Sequence, residues 1–315
     1  MSPTAALRAL DPAGWGLPLS DPMARVTWTE ALDAVDLADL GEVVVGRAPR
    51  RVAIVASANV YTAPLPWAVH LAARGVEVVI KPARGQVAAM TAIAACLPGV
   101  TVRPWTGGDV DAEAAALADV DGVLAFGTAE TIAALRSRLH GPFVGFGPRF
   151  GIGVVPTVDA GVVDDVTRYD GRGCMSPAAV FAQTWDLDTI AARMAEAEVR
   201  WPRGRVDPAE AVAIRTRVAL ARAIGQVRVG DTWAVLGLPA RQFSPVSLPR
   251  VLVVHPLDGL DAVAPFQDEL GTVAVDPTLR GLAPPAPRVC APGEMQRPAA
   301  TRWHEGVDVL GALWR

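Results

Sequence analysis

The sequence predicts an α/β fold: a doubly wound, parallel sheet, followed by a second α/β domain. Short apolar runs rich in β-branched residues alternate with helix-like segments from Arg51 to about residue 148. The turns between them are short, which is typical of parallel strands joined by crossover helices. After Gly151 the pattern changes to two long helical segments and two further strand-like runs, which indicate a separate domain.

Composition narrows the class of protein. The 315 residues are 51% hydrophobic and carry a formal net charge of -4, so the chain can bury one large or two modest cores. No basic stripe is visible, which argues against a nucleic-acid partner. Three sparse cysteines do not form a disulfide framework, and the opening residues lack the apolar run of a secretory signal. We therefore predict a cytoplasmic protein with no membrane span.

In the first region each strand is followed by a helix. Residues 1–47 are weakly patterned, with one amphipathic helix predicted at "WTEALDAVDLADLG". Parallel sheets of this kind bind ligands at the carboxyl ends of their strands. The predicted strands are "RVAIVASA", "VEVVIKPA", "VTVRPW", "DGVLAFG" and "PFVGFG", and the helices are "PLPWAVHLAARG", "GQVAAMTAIAACLPG", "DVDAEAAALADV" and "TAETIAALRSRLHG".

The second region is predicted to hold the helices "DLDTIAARMAEAEVRW" and "DPAEAVAIRTRVALARAIG" and the strands "RVLVVHPL" and "LGTVAV". Asp207 is the expected N-cap of the second helix, with Pro208 at its first position. We therefore predict a first domain over 1–148, a second over 149–276 and a C-terminal segment, 277–315, whose first part up to Pro298 is a Pro- and Gly-rich loop.

The stretch "YDGRGCMSPAAVF" places Cys174 between two glycines and a Ser-Pro pair. Ser176 and Pro177 form a helix-start pattern, and the apolar text after them is predicted to be a helix. A cysteine at that positive end has a lowered thiol pKa, and the same N–H groups can hold an oxyanion. The alternative is an inert cysteine buried at a helix start.

Other reactive side chains fit structural roles. Cys96 lies on an Ala-rich helix, and Cys290 lies in the predicted loop. The cysteine and histidine spacings match no zinc pattern, so we expect no metal. Asp164, Asp165 and Asp170 precede Cys174 at uneven spacing, which predicts a solvated turn.

The strand ends of the first region carry a weak cofactor pattern. Gly127 and Thr128 stand between a strand and a helix, where backbone N–H groups can bind a pyrophosphate. Lys81 and Arg84 follow the second strand and can meet a ribose phosphate, although a solvated strand end is the better explanation when each is taken alone. The chain has no G-x-G-x-x-G and no Walker sequence.

Four segments, in this order, resemble the aldehyde dehydrogenase superfamily, and more closely its LuxC-type acyl-CoA reductase branch. The likeness covers about residues 48–315, and the third segment resembles the cysteine motif of the branch, in which Ser-Pro closely follows the cysteine. The segments are "VASANVYTAPLPWAVHLAARGVEVVIKPARGQ", "GVLAFGTAETIAALRSRLHGPFVGFGPRFGIGVV", "VTRYDGRGCMSPAAVFAQ" and "RVCAPGEMQRPAATRWHEGVDVLGALW".

The resemblance implies roles for catalytic residues. Cys174 matches the nucleophile, and Asn59 matches the asparagine whose amide helps to stabilise the oxyanion. Hydrolytic relatives carry a glutamate base where this chain has "GFGPRFG", which contains no carboxylate. A base is needed to activate the water that hydrolyses an acyl-enzyme. The resemblance therefore implies reduction of an acyl-CoA or acyl-carrier-protein thioester to an aldehyde.

The resemblance also implies a nicotinamide cofactor. It makes 1–148 the nucleotide-binding domain and 149–276 the catalytic cysteine domain, with 277–315 returning to the first domain. Lys81 matches the lysine that contacts the adenosine ribose, and Gly127 with Thr128 matches the turn near the pyrophosphate. Arg84 stands where NAD-preferring relatives carry a glutamate, which favours NADPH over NADH because an arginine pairs with a 2′-phosphate. Asp268 matches the acid that touches the nicotinamide ribose, with Glu269 as the alternative register.

Two further expectations follow from the resemblance. Oligomers are common in the superfamily, so we expect a homo-oligomer, at least a dimer. LuxC-type enzymes have a longer N-terminal part, so we expect part of the helix layer or acyl-binding surface to be missing. This shortening motivates an alternative, a non-catalytic scaffold or partner subunit. A CoA-acylating aldehyde dehydrogenase, which runs the chemistry oxidatively, is another.

Overall fold

A computed structural model describes residues 3–36 and 40–314 of the chain. The chain divides into two compact units: unit 1 comprises Met1–Leu17, Arg25–Pro148 and Ala299–Arg315, and unit 2 comprises Pro18–Ala24 and Arg149–Pro298. Of the predicted C-terminal segment 277–315, residues up to 298 therefore belong to unit 2 and the rest to unit 1.

Unit 1 contains a five-stranded, fully parallel sheet in the order β3-β2-β1-β4-β5. The strand order reverses between β1 and β4, which makes their carboxyl ends the expected ligand crevice. The elements up to Pro148, in chain order, are α1 (Pro3–Arg8), α2 (Asp21–Asp36), β1 (Arg51–Val55), α3 (Leu65–Ala73), β2 (Glu77–Lys81), α4 (Val87–Cys96), β3 (Val100–Val102), α5 (Val110–Leu117), β4 (Gly122–Phe126), α6 (Ala129–Arg138) and β5 (Phe143–Phe146). All belong to unit 1 except the first four residues of α2, which are assigned to unit 2.

The alternation predicted for the first region is confirmed element by element. The apolar runs are buried strands: residues 52–55 are all buried, and Ile54 is fully so. The amphipathic helix predicted near the N-terminus begins earlier than expected, at Asp21, and its predicted residues 37–39 lie outside the described residues. Local apolar runs were sufficient here because the three inner strands, β1, β2 and β4, are buried along most of their length.

Unit 2 contains a seven-stranded sheet in the order β12-β11-β6-β7-β10-β9-β8, in which only β8 and β9 pair antiparallel. Its apolar core lies between the sheet and the helices. The elements are β6 (Phe150–Val155), α7 (Ala160–Thr167), β7 (Pro177–Ala182), α8 (Leu187–Arg200), α9 (Pro208–Ile224), β8 (Gln226–Val229), β9 (Ala234–Gly237), β10 (Val251–Pro256), β11 (Leu270–Val275) and β12 (Arg288–Cys290).

One prediction about unit 2 is wrong: the text after Ser176 is not a helix. Residues 177–182 form β7, which is buried throughout and pairs parallel with β6 on one side and β10 on the other. A short apolar run cannot be assigned to helix or strand by periodicity alone, and here the paired neighbours decide. Pro177 is compatible with a strand because it is the first residue.

Two further details of unit 2 can be compared with the sequence. Asp207 caps α9 in a full capping box with Glu210, and Pro208 begins the helix, as predicted. Cys290, expected in a loop, is the last residue of the edge strand β12. The three-residue strand is too short to stand out within a Pro- and Gly-rich segment.

The C-terminal residues complete unit 1 with a small hairpin and a short helix: β13 (Trp303–His304), β14 (Val307–Asp308) and α10 (Val309–Leu313). Asp308 caps α10 by accepting a hydrogen bond from the N–H of Gly311 at 2.9 Å. Leu313 is fully buried, and its side chain reaches Gly122 at the start of β4. Among the described helices, none combines the length and apolar character needed to cross a bilayer.

Candidate active site

Cys174 lies in a tight turn at the amino-terminal end of β7. The N–H of Ser176 donates to the carbonyl of Gly173 at 2.9 Å, so Cys174 and Met175 are the two central residues of the turn. The cysteine is half-buried. Because a strand follows the turn, the predicted helix N-terminus at Cys174 is wrong, and no helix dipole of that segment acts on the thiol.

The backbone that leads to Cys174 adopts an uncommon conformation. Tyr169, Asp170 and Gly171 have φ values of 51°, 55° and 73°, all in the left-handed region. Only glycine occupies this region without cost, and such conformations persist where surrounding contacts enforce them. For Gly171 the glycine is also required by space, since a Cβ would stand 3.0 Å from the carbonyl oxygen of Val166.

Buried ion pairs enforce this conformation. The carboxylate of Asp170 accepts hydrogen bonds from Arg250 Nε at 2.8 Å and Arg172 Nη1 at 3.1 Å, and both Asp170 and Arg250 are 0% exposed. Arg172 also makes a two-point contact with Glu210, at 2.7 and 2.9 Å. The N–H of Gly204 donates to the same Asp170 carboxylate. The predicted solvated turn is therefore wrong for Asp170, whose charge is paired inside the unit.

Asp165 is also buried, at 2% exposure, rather than solvated. Its carboxylate accepts hydrogen bonds from the N–H groups of Gly293 at 2.7 Å and Met295 at 2.9 Å. Burial raises the pKa of Asp165 to about 7, against the lowering effect of these two donors and of Arg288. This carboxyl group connects α7 to the segment that follows β12.

Cys174 and Asp268 lie at the same end of the unit 2 sheet, the end at which β7 and β11 begin. Cys174 precedes β7, Asp268 precedes β11, and β6 lies between these two parallel strands. Asp268 and Glu269 are both exposed, and Arg149 Nη1 donates to the carbonyl of Asp268 at 3.0 Å. Either acid therefore presents its side chain to solvent at this edge.

The remaining predicted residues lie at the carboxyl edge of the unit 1 sheet. Asn59 is exposed in the bend after β1, and Lys81 ends β2. Burial lowers the pKa of Lys81, and its ammonium lies 5.9 Å from the centre of the Trp105 ring. Gly127 and Thr128 join β4 to α6. Thr128 is the N-cap of α6, and its hydroxyl accepts a hydrogen bond from the N–H of Thr131.

This edge of unit 1 has features that fit a dinucleotide. Gln86 is 2% exposed and donates to the carbonyl of Ala58 at 2.9 Å, yet its buried Oε1 has no hydrogen-bond donor among the described residues. A buried acceptor of this kind fits a ligand donor such as a ribose hydroxyl. Arg84 is exposed and pairs with no acid in the described part of the chain, which leaves its charge available to a phosphate. The residues therefore suit the predicted cofactor.

Cys96 and Cys290, like Cys174, are half-buried. Burial raises the pKa of Cys96, and it raises that of Cys290 to about 11. Within residues 3–36 and 40–314, no three His, Cys, Asp or Glu side chains cluster as metal ligands would. Both cysteines thus provide internal references for the reactivity of Cys174.

Several residues at these edges were missed at the sequence level. Gln296 donates to the hydroxyl of Ser176 at 2.7 Å, 120 positions away in the chain. Arg149 contacts Asp268, and Trp105 faces Lys81. Gln296 lies in the C-terminal segment "CAPGEMQRP", whose family likeness was the available signal; the contacts of Arg149 and Trp105 have no sequence signature.

Solved structures place this architecture in the aldehyde dehydrogenase fold. Aldehyde dehydrogenase C of Pseudomonas syringae, solved with NAD+ and octanal, has a TM-score of 0.67 at 17% identity over 92% of this chain and 72% of that chain. Salicylaldehyde dehydrogenase of Pseudomonas putida G7 has a TM-score of 0.67 at 12% identity over 93% and 76%. The chain spans only 34% of the bifunctional proline utilization A protein, with 89% of this chain covered, 17% identity and a TM-score of 0.58.

The family is shown by a sequence profile. The acyl-CoA reductase (LuxC) family matches residues 86–315, which is more than half of the chain and includes Cys174 and Asp268. The chain therefore belongs to the LuxC acyl-CoA reductase family, a family of oxidoreductases, and the resemblance stated from the sequence is confirmed. A search of curated proteins returned no match. Asn59, Lys81 and Arg84 precede the matched range, so their roles rest on the likeness of motifs.

Proposed function

We propose that the protein reduces an acyl thioester, carried by coenzyme A or an acyl-carrier protein, to an aldehyde through an acyl-enzyme at Cys174. The observation that carries the proposal is the Cys174 turn. The turn presents a half-buried thiol at the amino-terminal end of β7, and buried ion pairs hold the backbone that leads to it. The turn lies within the segment that matches the acyl-CoA reductase family. A nucleophile needs this kind of fixed, accessible placement.

The chemistry at Cys174 begins with nucleophilic attack. The thiolate attacks the thioester carbonyl, the C–S bond to the carrier breaks, and the carrier thiol leaves with a proton. The acyl group then remains on the sulfur of Cys174. When bound, NADPH supplies the hydride that turns this thioester into an aldehyde and restores the thiolate. The amide of Asn59 is proposed to donate to the carbonyl oxygen as its charge develops.

Unit 1 is proposed to hold the cofactor along its carboxyl edge. Lys81 is assigned to the adenosine ribose, Gly127 and Thr128 to the pyrophosphate, and Asp268 of unit 2, or Glu269, to the nicotinamide ribose. Arg84, which is exposed and unpaired among the described residues, is assigned to a 2′-phosphate. This assignment favours NADPH over NADH.

The chain has no carboxylate between Phe143 and Phe150, so this segment provides no base to activate water. The lack of a base in this segment suits reduction of the acyl group on Cys174 to an aldehyde rather than its hydrolysis. We further propose a cytoplasmic homo-oligomer that acts on a carrier-bound acyl group.

Intact-protein mass spectrometry after incubation with octanoyl-CoA tests the proposal. We expect one acyl adduct on the wild type and none on Cys174→Ala, with Cys290→Ala as a matched control that keeps the adduct. Addition of NADPH should then discharge the adduct and release octanal. Absence of an adduct across a panel of acyl-CoAs and acyl-carrier proteins, together with absence of NADPH binding, would support the non-catalytic alternative instead.

A further inference from the structure

We propose that Gln296 is a positioning residue for Cys174, and that it acts through the hydroxyl of Ser176. The inference rests on the proposed function of Cys174 as the acyl-accepting thiol. It adds a residue from the far C-terminal part of unit 2, which nothing in the local cysteine motif indicates. The contact joins positions 120 residues apart in the chain.

The contact is direct and protected from water. Gln296 Nε2 donates to Ser176 Oγ at 2.7 Å, and the two residues are 6% and 1% exposed. Ser176 closes the turn that carries Cys174, because its N–H donates to Gly173. Its carbonyl accepts a hydrogen bond from the N–H of Gly151 in β6. The side-chain bond from Gln296 is therefore the third hydrogen bond that holds the closing residue of the turn.

The segment that carries Gln296 is held by two side chains, those of Asp165 and Arg288. The N–H groups of Gly293 and Met295 donate to the two carboxylate oxygens of Asp165 on α7. The guanidinium of Arg288 donates to the carbonyls of Met295 at 2.8 Å and Glu294 at 2.6 Å. Met295 is fully buried. Gln296 therefore approaches Ser176 from a fixed backbone rather than from a mobile loop.

Close packing brings this segment against α7. A Cβ on Gly161 would stand 3.0 Å from the carbonyl oxygen of Pro292, and one on Gly293 would stand 3.2 Å from the Cα of Gly161. Gly293 also has a φ of 89°. The two glycines thus permit the backbone approach that lets the Asp165 carboxylate reach its two donors.

A positioning role follows from where the turn is held. The residues before Cys174 are fixed by Asp170 and Arg172, and the residue that closes the turn is fixed by Gln296 and Gly151. Removal of the Gln296 bond leaves the closing residue with its two backbone hydrogen bonds but without its side-chain anchor, while the ion pairs remain. A displacement of about 1 Å at a nucleophile can cost about a hundredfold in rate.

The test compares two reactions of Cys174 in Gln296→Ala and Ser176→Ala. Transfer of the acyl group from octanoyl-CoA should slow by about tenfold, because the thiol loses its fixed geometry. Labelling by iodoacetamide, followed on the Cys174 peptide by mass spectrometry, should accelerate by about threefold, because a loosened turn exposes a half-buried thiol. A general loss of structure would accelerate labelling of all three half-buried thiols, whereas loss of the Gln296 contact should accelerate that of Cys174 and leave those of Cys96 and Cys290 unchanged.

Gln267→Ala is the matched control, since Gln267 Nε2 donates to the carbonyl of Pro285, another backbone contact in unit 2. It should leave both rates of Cys174 unchanged. The double variant Gln296→Ala/Ser176→Ala should be no slower in acyl transfer than either single variant, because each substitution removes the same hydrogen bond. Additive losses, or acyl transfer within about twofold of the wild type in Gln296→Ala, would overturn the proposal.

If Gln296→Ala does not fold, Ser176→Ala decides by the same two rates. The result also separates this inference from the proposed function. A wild type that takes no acyl group contradicts the proposed function, whereas the labelling rates still show whether Gln296 and Ser176 control the Cys174 thiol. Unchanged labelling in both variants then overturns the positioning role on its own.

Discussion

Replacement of Arg250 by methionine should destabilise unit 2 by leaving the buried charge of Asp170 short of its main partner. Arg250 and Asp170 are both 0% exposed, and Arg250 Nε lies 2.8 Å from the carboxylate. Loss of one partner of a buried ion pair costs about 3–5 kcal/mol. Asp170 keeps its contacts with Arg172 and Gly204, so we expect the lower end, about 3 kcal/mol.

The assay is equilibrium urea unfolding of the whole chain, followed by circular dichroism and tryptophan fluorescence, because two units need more than one probe. The matched control is Arg228→Met, which breaks a surface pair with Asp188 whose side chains are 44% and 72% exposed. Such a surface pair contributes about 0–1 kcal/mol. The double variant Arg250→Met/Asp170→Asn should recover part of the loss, because asparagine tolerates the left-handed backbone and carries no charge.

A loss below about 1 kcal/mol in Arg250→Met, or one no larger than that of the surface control, would refute the reasoning. So would a double variant that is less stable than Arg250→Met, since it would show that the buried charge of Asp170 is not the source of the cost. The comparison therefore tests the charge and not merely the volume of the arginine.

Three further predictions concern Asp165, Arg84 and Gly161. Burial raises the pKa of the Asp165 carboxyl group to about 7 from an ordinary 3.8. The folded chain therefore binds the carboxyl proton more tightly than the unfolded chain does. The contribution of Asp165 to the free energy of unfolding is complete below pH 3.8 and is lost as the pH rises through about 7. Urea unfolding across that window should show a decline in the wild type that is weaker in Asp165→Asn, and an equal decline would contradict the assignment. Arg84→Ala should weaken NADPH binding by about tenfold and leave NADH binding unchanged in a fluorescence titration, as expected for loss of a phosphate contact; equal weakening of both would refute it. Gly161→Ala should lower the free energy of unfolding by about 1–3 kcal/mol, because the new Cβ meets the backbone of Pro292, whereas Gly281→Ala, which has open space, should be neutral.

Local patterns were enough to predict most of unit 1. Its five strands and their helices follow from runs of buried apolar residues that alternate with helical segments, and the order of motifs predicted the family. In unit 2 the capping pattern at Asp207 and Pro208 located the start of α9. These features depend on residues close in sequence, so the sequence contains their full signal.

The Cys174 site depended on contacts that are distant in sequence. The sequence by itself determined that the cysteine lies between glycines and a Ser-Pro pair, within a family-like motif. Only the tertiary structure decided that β7 follows it, because β6 and β10 complete the hydrogen bonds of that strand on both sides. Burial of Asp170 beside Arg250 and the contact between Gln296 and Ser176 were decided in the same way, since each joins residues 80 or more positions apart.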